Sequence, residues 1–563
     1  MSSILLFSAV GALVMALIIT PFSRGKSTKK EEAKGAFSTG AAGFAIVFVS
    51  AFIAILIYYY VFNIDRNITS LWPFALAAAI LGMLASRGME QKMKTLLVIL
   101  AVAASAYILA APLFNATEKF ESVEMKEEVE LEAFDETKTP ASVPPQFARN
   151  KMKKAFGQVP DTSYYELGNL QIQKVNEEYV YIAPVEFSGF FKWWNADSTP
   201  GYFTMSATDA AANPKFIKEE MIYTPSSYFG RNIERQMRSE NPQAVFYGEP
   251  QLEVDEQGKP FYIRSYGDFI SARNGFDVKG IAMVDPVTGE SVNYTLEEVP
   301  GFIDGAVSPE SVSLENSYYG NYANGFLNSK FSKKDVKLPS DEGTEANVSP
   351  IFDAEGEMYY FTDFTSPKEG VDSMLGYSLT NARTGSSTFF TGSLEDSYMD
   401  SQGNLQIIEK QFIEKQWSGK MPVLYNFYGE ASWLTPVLDS NGFLQNYFIV
   451  SASNPEISVF ANTPNEALRL YQTALQRGGS IVDGASDAPE AEAAGTVERV
   501  FKEKTGDFTI VSFLLDDGTN YIVSSESNPL AIYLEAGDSV NISYADTGEL
   551  FLPVKTLKIE AID

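Results

Sequence analysis

The stretch Leu252-Glu253-Val254-Asp255-Glu256-Gln257-Gly258-Lys259-Pro260-Phe261-Tyr262-Ile263 runs an apolar strand into an aspartate, turns at a glycine three residues on, and returns through aromatics. Asp holds a tight turn with its side chain, Gly accepts the backbone angles such a turn demands, and alternating aromatics suit a half-buried strand, so the stretch predicts a β-hairpin. The pattern returns at Ile351-Phe352-Asp353-Ala354-Glu355-Gly356-Glu357-Met358-Tyr359-Tyr360-Phe361, and again at Val437-Leu438-Asp439-Ser440-Asn441-Gly442 followed by Tyr447-Phe448-Ile449. A second hairpin trails two of these, Met283-Val284-Asp285-Pro286-Val287-Thr288-Gly289-Glu290 and Leu379-Thr380-Asn381-Ala382-Arg383-Thr384-Gly385-Ser386. The offsets are 353 − 255 = 98 and 383 − 287 = 96, so the two units keep register. A fainter first copy is expected over Asn176–Thr208, with Trp193-Trp194 and Tyr202-Phe203-Thr204-Met205.

Helices are expected between the hairpins. Ser226–Asn241 places Phe229, Ile233 and Met237 on one helical face with Arg231, Arg235 and Arg238 elsewhere. Thr463-Pro464-Asn465-Glu466 is a capping box with Pro at the first helical position, ahead of an apolar stripe at Leu468, Tyr471 and Leu475. Recurrent helix plus antiparallel hairpins predicts α+β modules from Tyr164 to about Gln476. Gly478–Gly495 is small and acidic and reads as a flexible linker. In Thr496–Asp563 the runs Phe508–Leu515, Asn520–Val523, Ser539–Tyr544 and Val554–Ile559 are separated by Asp516-Asp517-Gly518, Ala536-Gly537-Asp538 and Asp546-Thr547-Gly548, which predicts a small β-barrel of the OB or SH3 kind.

Toward the N-terminus, Ser2–Ser23, Gly35–Ile64, Asn67–Ser86 and Thr95–Thr117 are four uncharged apolar stretches, each able to cover the ~20 residues of a spanning helix. No Lys or Arg precedes the first, which argues against a standard signal peptide. Arg24, Lys26, Lys29, Lys30 and Lys34 follow it; the next loop carries Asp65 and Arg66, and the third Arg87, Lys92 and Lys94. Positive loops stay cytoplasmic, so the N-terminus and residues 118–563 are expected on the extracytoplasmic side of a cell (inner/cytoplasmic) membrane. Tyr58, Tyr59, Tyr60 and Trp72 fall at the expected outer interface. Small residues at helical spacing (Ala41/Ala45, Ala78/Gly82, Ala101/Ser105, Ala106/Ala110) allow close helix packing within a bundle or between subunits. No charged side chain lies deep in a span, which disfavours active transport. Glu118–Pro140 reads as a solvated acidic stalk or helix. Pro145–Phe156 reads as a basic amphipathic helix, an ordinary surface helix in preference to one lying on headgroups.

The 563 residues contain no His and no Cys, which removes imidazole and thiol catalysis, disulfides and the usual ligands of zinc, copper, haem and iron–sulfur clusters. Net charge is −29: residues 1–113 hold nine Lys/Arg against four Asp/Glu, net +5, leaving −34 on the rest. A body so acidic repels phosphate backbones, so no nucleic-acid partner is expected, the barrel included. Asp255, Asp353 and Asp439 read as turn residues, because EF-hand spacing is missing. Glu219/Glu220 and Glu297/Glu298 are the carboxylate pairs a glycosidase reading would use, but such pairs are inevitable among 72 acids. Ser418-Gly419-Lys420 reads as loop, not as a nucleophile with its base, and Trp193-Trp194 and Trp433 as core rather than binding residues. No catalytic, cofactor-binding or metal site is assigned.

Asn232-Ile233-Glu234-Arg235-Gln236-Met237-Arg238 with Asn241-Pro242, the stretch Val254–Tyr262, Gly280–Glu290, Tyr319-Gly320-Asn321-Tyr322-Ala323-Asn324-Gly325-Phe326 and the turn Asn381–Gly385 together resemble uncharacterised bacterial multi-span membrane proteins, some labelled CvpA-like, whose exterior parts are similar to PepSY-type modules. The resemblance covers roughly Tyr164–Gln476, with a similar β tail. It implies a fold and no chemistry; the family pattern has a His where Gln236 stands beside Arg235, which argues against an imidazole role.

The expected fold is a membrane α-helical bundle of four spans plus α+β antiparallel-sheet repeats and a C-terminal small β-barrel. The expected domains are 1–117 (spans), 118–160 (stalk and basic helix), 161–250 (first α+β module), 251–345 and 346–477 (PepSY-like repeats), 478–495 (linker) and 496–563 (barrel). The expected function is that of a non-enzymatic membrane-anchored surface protein acting in assembly or binding, with the lipid bilayer, further copies of itself and an envelope protein as partners and no cofactor. The alternatives are a pore or transport component formed by oligomerised spans, and a PepSY-like regulator of exported proteases.

Overall fold

The computed structural model describes residues 2–21, 41–129, 140–341, 346–353, 355–368, 370–371, 373–391, 397–477, 490–505, 508–525, 528–545 and 551–562. The basic cluster Arg24–Lys34, most of the expected linker and the turn Asp546-Thr547-Gly548 lie outside them. Contacts divide the chain into one unit of residues 1–129, 140–394 and 441–443, and another of 130–139, 395–440 and 444–563.

The first unit opens with four apolar helices, α1 (Ser2–Ile19), α2 (Ala41–Phe62), α3 (Trp72–Ala85) and α4 (Gly88–Phe114). Three helical segments, Ala42–Phe62, Ile68–Ala85 and Gly88–Phe114, are long and apolar enough to cross a membrane; α1 is apolar but shorter. Packed neighbours run in the order α2–α1–α3–α4. Gly82 lies where α3 crosses α1, and a Cβ there would fall 2.4 Å from the Ile18 carbonyl oxygen, so this small residue serves packing inside the row. Lys92 and Lys94, expected in a loop, sit instead in the first turns of α4. The Lys94–Glu90 pair at 3.0 Å bridges one turn, and Lys94 Nζ also donates to the Thr20 carbonyl at 3.1 Å.

The described start of the expected stalk is a short helix and an edge strand, largely exposed but docked through a few apolar side chains. Helix α5 (Ala116–Ser122) packs on a later helix, and β1 (Met125–Glu128) joins a sheet edge in parallel. Burial of Phe120, Val123 and Met125 against Tyr319, Phe364 and Phe389 explains why this acidic stretch folds back.

Beyond it, one unit recurs four times: a helix, then five antiparallel strands of which the first two both pair with the third. The first copy has α6 (Pro145–Lys154), β2 (Tyr165–Leu167), β3 (Gln171–Val175), β4 (Glu178–Phe187), α7 (Phe190–Asn195), β5 (Thr199–Ser206) and β6 (Lys215–Met221). The second has α8 (Ile233–Glu240), β7 (Val245–Phe246), β8 (Gln251–Val254), β9 (Pro260–Asp268), β10 (Asp277–Val284) and β11 (Ser291–Thr295). The third has α9 (Pro309–Tyr322), α10 (Gly325–Lys330), β12 (Leu338–Pro339), β13 (Ser349–Phe352), β14 (Met358–Thr365), β15 (Met374–Asn381) and β16 (Ser387–Phe390).

The fourth copy belongs to the second unit: α11 (Ser401–Gln411), β17 (Ser418–Gly419), β18 (Val423–Phe427), β19 (Glu430–Leu438), β20 (Leu444–Ser451) and β21 (Ser458–Ala461), closed by α12 (Pro464–Arg477). There the third sequence echo, Val437–Ile449, forms the β19–β20 connection, one hairpin later than its two counterparts. The equivalent β18–β19 turn is Tyr428-Gly429, both at positive φ as a two-residue hairpin turn requires; Asn176-Glu177 do the same in the first copy.

Hydrogen bonds confirm the fourfold repeat. After the fourth strand of each copy, one side-chain oxygen accepts the N–H groups two and three residues on: Ser206 from Thr208 and Asp209, Asp285 from Val287 and Thr288, Asn381 from Arg383 and Thr384, Ser451 from Ser453 and Asn454. The next carbonyl, of Ala207, Pro286, Ala382 or Ala452, accepts an N–H from the segment entering that copy's helix or lying just ahead of the next one: Val143, Tyr223, Val307 or Met399. Where Ala stands, its own N–H also bonds back to the third strand; Pro286 has no N–H to give.

The tail is a closed barrel ordered β22 (Glu490–Thr505), β23 (Phe508–Leu515), β24 (Asn520–Ser524), β26 (Phe551–Ile559), β25 (Ser539–Ala545) around Val511, Phe513, Tyr521, Ile542 and their neighbours. Strand β22 begins at Glu490, so the last six residues of the expected linker are strand, paired with β25.

Candidate functional site

The end of α2 and residues 63–71, which join α2 to α3, meet the second copy through three arginines, Arg235, Arg238 and Arg273. Helix α8 starts well because the Asn232 side chain accepts the Arg235 N–H at 3.1 Å and Glu234 sits in the first turn. Ile233 and Met237 on one face enter a core with Ile182, Tyr202, Leu252, Tyr262 and Ala282. Arg235 and Arg238, three residues apart, leave that core toward the α2 end. Arg235 donates to the Tyr60 carbonyl at 2.6 Å, and its guanidinium lies 4.0 Å from the Tyr60 ring centroid. Arg238, 4% exposed, donates to the carbonyls of Asn63 at 3.2 Å, Asn241 at 3.4 Å and Ala244, and stacks over Phe246 at 4.7 Å. Burial pushes Arg238 down to about 10, which leaves it charged at neutral pH.

Arg273 completes the joint with a bidentate pair to Asp65 at 2.7 and 2.8 Å. Burial alone would raise the Asp65 carboxyl; hydrogen bonds and charge from Arg273 outweigh it and hold the group below its ordinary value. Two backbone-level contacts lock the loop further: Arg66 N–H to the Pro242 carbonyl at 2.6 Å, and Asn67 Nδ2 to the Gln243 carbonyl at 2.9 Å. The arrangement carries no reacting geometry. It joins the end of α2 and the loop between α2 and α3 to the second copy.

Beside α8, a cavity of about 360 Å³ is lined by Trp193, Trp194, Tyr228, Phe229 and Arg231. Phe190 and Trp193 meet Tyr228 at 5.0 and 5.4 Å between ring centroids, and Phe229 holds φ +54°, uncommon for a bulky residue. The expectation that Trp193-Trp194 are core is corrected for Trp194, which is 66% exposed, while Trp193 is half-buried. Trp433 is fully buried, its Nε1 donating to the Met399 carbonyl at 2.9 Å.

Buried carboxylates mark the seams between copies. Both Glu253 oxygens accept backbone N–H groups, of Asp304 at 2.9 Å and Gly305 at 2.8 Å, and Asp304 accepts the Lys174 N–H at 2.6 Å. Burial and then the Asp304 charge push Glu253 up to about 8; burial pushes Asp304 up to about 6. Arg383 spans the same seam, donating to the carbonyls of Val299, Gly301 and Ile303. Buried Glu186 accepts from Tyr262 Oη at 2.5 Å and from Ser226.

No family model matches the chain. No curated protein matches it either. Two solved structures align with it, a BT0996 complex with RGII (9% identity, TM-score 0.16) and a glycoside hydrolase (8% identity, TM-score 0.17), each over 66% of this chain and 94% of its own. Likeness at that level carries no argument about fold or activity.

Of the residues singled out by sequence, Asp255 accepts the N–H groups of Gln257 and Lys259, and Asp353 that of Glu357, as turn residues do. Asp439 accepts from Gln445 Nε2 at 3.1 Å. Glu219 and Glu220 sit at a bulge of β6 opposite β5, while Glu297 and Glu298 are exposed beyond β11. Ser418-Gly419 forms the edge strand β17, and the Lys420 N–H bonds the Pro436 carbonyl. In the basic helix α6, Phe147, Ala148 and Met152 are buried and Lys151 donates to the carbonyls of Ala210 and Ala212, so it packs on protein. Among the described residues no cluster of three potential metal ligands forms. Sequence reasoning missed Arg273 and the Glu253–Asp304 seam; the i, i+3 spacing of Arg235 and Arg238 opposite an apolar face was the available signal for the joint.

Proposed function

We propose that the chain is a non-enzymatic, membrane-anchored surface protein of the cell envelope that works by assembly or binding, as a homo-oligomer. The observation that carries this reading is the arginine joint, which fixes a repeat array to the loop between two spans. Repeat arrays present extended surfaces built by stacking, and a rigid mount keeps such a surface at a set distance from the bilayer. The polar groups at the seams and turns are already engaged by backbone N–H and carbonyl groups, which suits a scaffold.

Contacts at the helix ends support four spans. Ser3, at the start of α1, bonds Arg66 beside the joint, while Thr20, at its end, bonds Lys94 in the first turns of α4. Helix α1 thus runs the same course as the crossing helices, and its 18 residues rise about 27 Å. The array docks on loop 63–71 and follows α4, as it must if α3 and α4 both cross. Positively charged residues at the opposite end, Arg87 and Lys92 among them, favour the cytoplasm for that side and an extracytoplasmic array. The helix–sheet units fit the PepSY-like resemblance, and the barrel order β22-β23-β24-β26-β25 with β24 parallel to β26 supports an OB-like tail. The row order α2–α1–α3–α4 leaves α2 and α4 as flanks for a neighbouring copy.

Native mass spectrometry of the protein released from lipid nanodiscs tests assembly. Masses at a fixed multiple of the 62.0 kDa chain are expected. Monomer alone would remove the homo-oligomer, and steady single-channel conductance in planar bilayers would move the reading to a pore.

A further inference from the structure

Among the described large apolar side chains of residues 140–394, four stand out by exposure: Phe191 at 79%, Trp194 at 66%, Leu327 at 67% and Phe331 at 82%; the next, Phe229, reaches 49%. They fall into two patches, the second packed by the end of the last apolar helix and the first tied to the end of α2 through α8 and Arg235. Phe191 and Trp194 cluster through Phe190 and Trp193 with Tyr228 and Phe229. Phe229 is six residues from Arg235, which holds Tyr60 at the end of α2, so the chain limits their separation to ~20 Å. Leu327 lies in α10 and Phe331 directly after it, and α10 packs on α4 and α5 where the last span ends. The helix ends beside these patches expose further apolar side chains, Val61, Phe62 and Ile68 on one flank and Leu113 and Phe114 on the other.

Cations outnumber acids at both patches: Lys192 and Arg231 at the first, where Arg231 pairs with exposed Asp197 at 3.5 Å, and Lys330, Lys333 and Lys334 at the second, beside Asp335. Aromatic and aliphatic tips with a local excess of Lys and Arg on an otherwise acidic body match the headgroup layer, where rings sit at the hydrocarbon boundary and cations meet phosphates. We propose that these two patches insert into the leaflet facing the array, seating the first and third copies on the lipid surface on either side of the spans. The array is then held down at three points, the arginine joint and two lipid contacts, and cannot rock about the joint.

The proposal rests on the reading of the helices as embedded in lipid, and the chain's lack of Cys lets both be tested in the full-length protein. Single-cysteine variants Phe191→Cys, Phe331→Cys, Glu177→Cys and Leu109→Cys are spin-labelled in lipid nanodiscs, and collision with oxygen is compared with collision with a water-soluble nickel chelate. Glu177, with an 88% exposed side chain in a turn of the first copy, is the water reference, and Leu109 in α4 the lipid reference. The expected result is nickel collision at 191 and 331 reduced several-fold from the 177 value, with oxygen collision raised. Nickel collision at 191 and 331 equal to that at 177, with 109 shielded, overturns the proposal while leaving the spans in lipid, and leaves the patches free for a dissolved ligand. Nickel collision at 109 as high as at 177 overturns the spans and the proposal together.

Discussion

Asp65 and Arg273 stand 208 residues apart and meet with both guanidinium nitrogens on both carboxylate oxygens. Removing one partner of so buried a pair leaves the other uncompensated, so Arg273→Ala is expected to cost about 3 kcal/mol in a denaturant titration at pH 7. The pH dependence has a definite sign. The Asp65 carboxyl lies lower in the fold than in the unfolded chain, so its contribution is complete above the ordinary carboxylate value of about 4 and is lost as pH falls below it. The stability gap between the protein and Asp65→Asn should therefore be full at pH 6 and shrink below about pH 4; a gap constant down to pH 3 would show that ionisation of Asp65 is not what the joint uses. In the sequence Asp65 and Arg66 were legible only as a short, nearly neutral loop. The cation that completes the site is fixed by tertiary folding, and no local pattern around Arg273 marks it.

At the scale of elements, the four turns after the fourth strands do the same work with three different side chains. Ser206→Ala, Asn381→Ala and Ser451→Ala each strip two N–H groups of their acceptor, and each is expected to cost about 1–2 kcal/mol by chemical denaturation, against about zero for the exposed Glu177→Ala. A cost at Asn381 but none at the two serines would mean that the hydroxyl turns are solvated substitutes and not true equivalents. The same chemistry explains what the sequence disclosed. The second and third copies were legible because Asp or Asn, followed within a few residues by Gly, advertises the turns of their hairpins. The first copy was legible only faintly, and the fourth only through the echo at its next hairpin, because their first hairpins close through two residues and their second turns use Ser. The barrel shows a similar split: Phe508–Leu515 is legible to the residue, whereas Glu490–Gly495, made of Glu, Ala and Gly, looks like linker and is strand only because β25 pairs with it. Exposed Trp194 escapes sequence reasoning for the opposite reason, since burial of a tryptophan is the usual outcome.

For the whole molecule, apolar helices, an arginine joint and a repeated helix–sheet unit are the parts on which the proposed role as a membrane-anchored surface protein rests. The side of the membrane on which the array stands is the claim that gives the rest a biological meaning, and the absence of Cys makes it directly measurable. Glu177→Cys places a thiol in an exposed turn of the first copy, and Lys92→Cys one at the opposite end of the helices. Intact cells producing each variant are treated with a membrane-impermeant maleimide, with and without permeabilisation. The account predicts that Glu177→Cys labels in intact cells and that Lys92→Cys labels only after permeabilisation; the reverse pattern would contradict it.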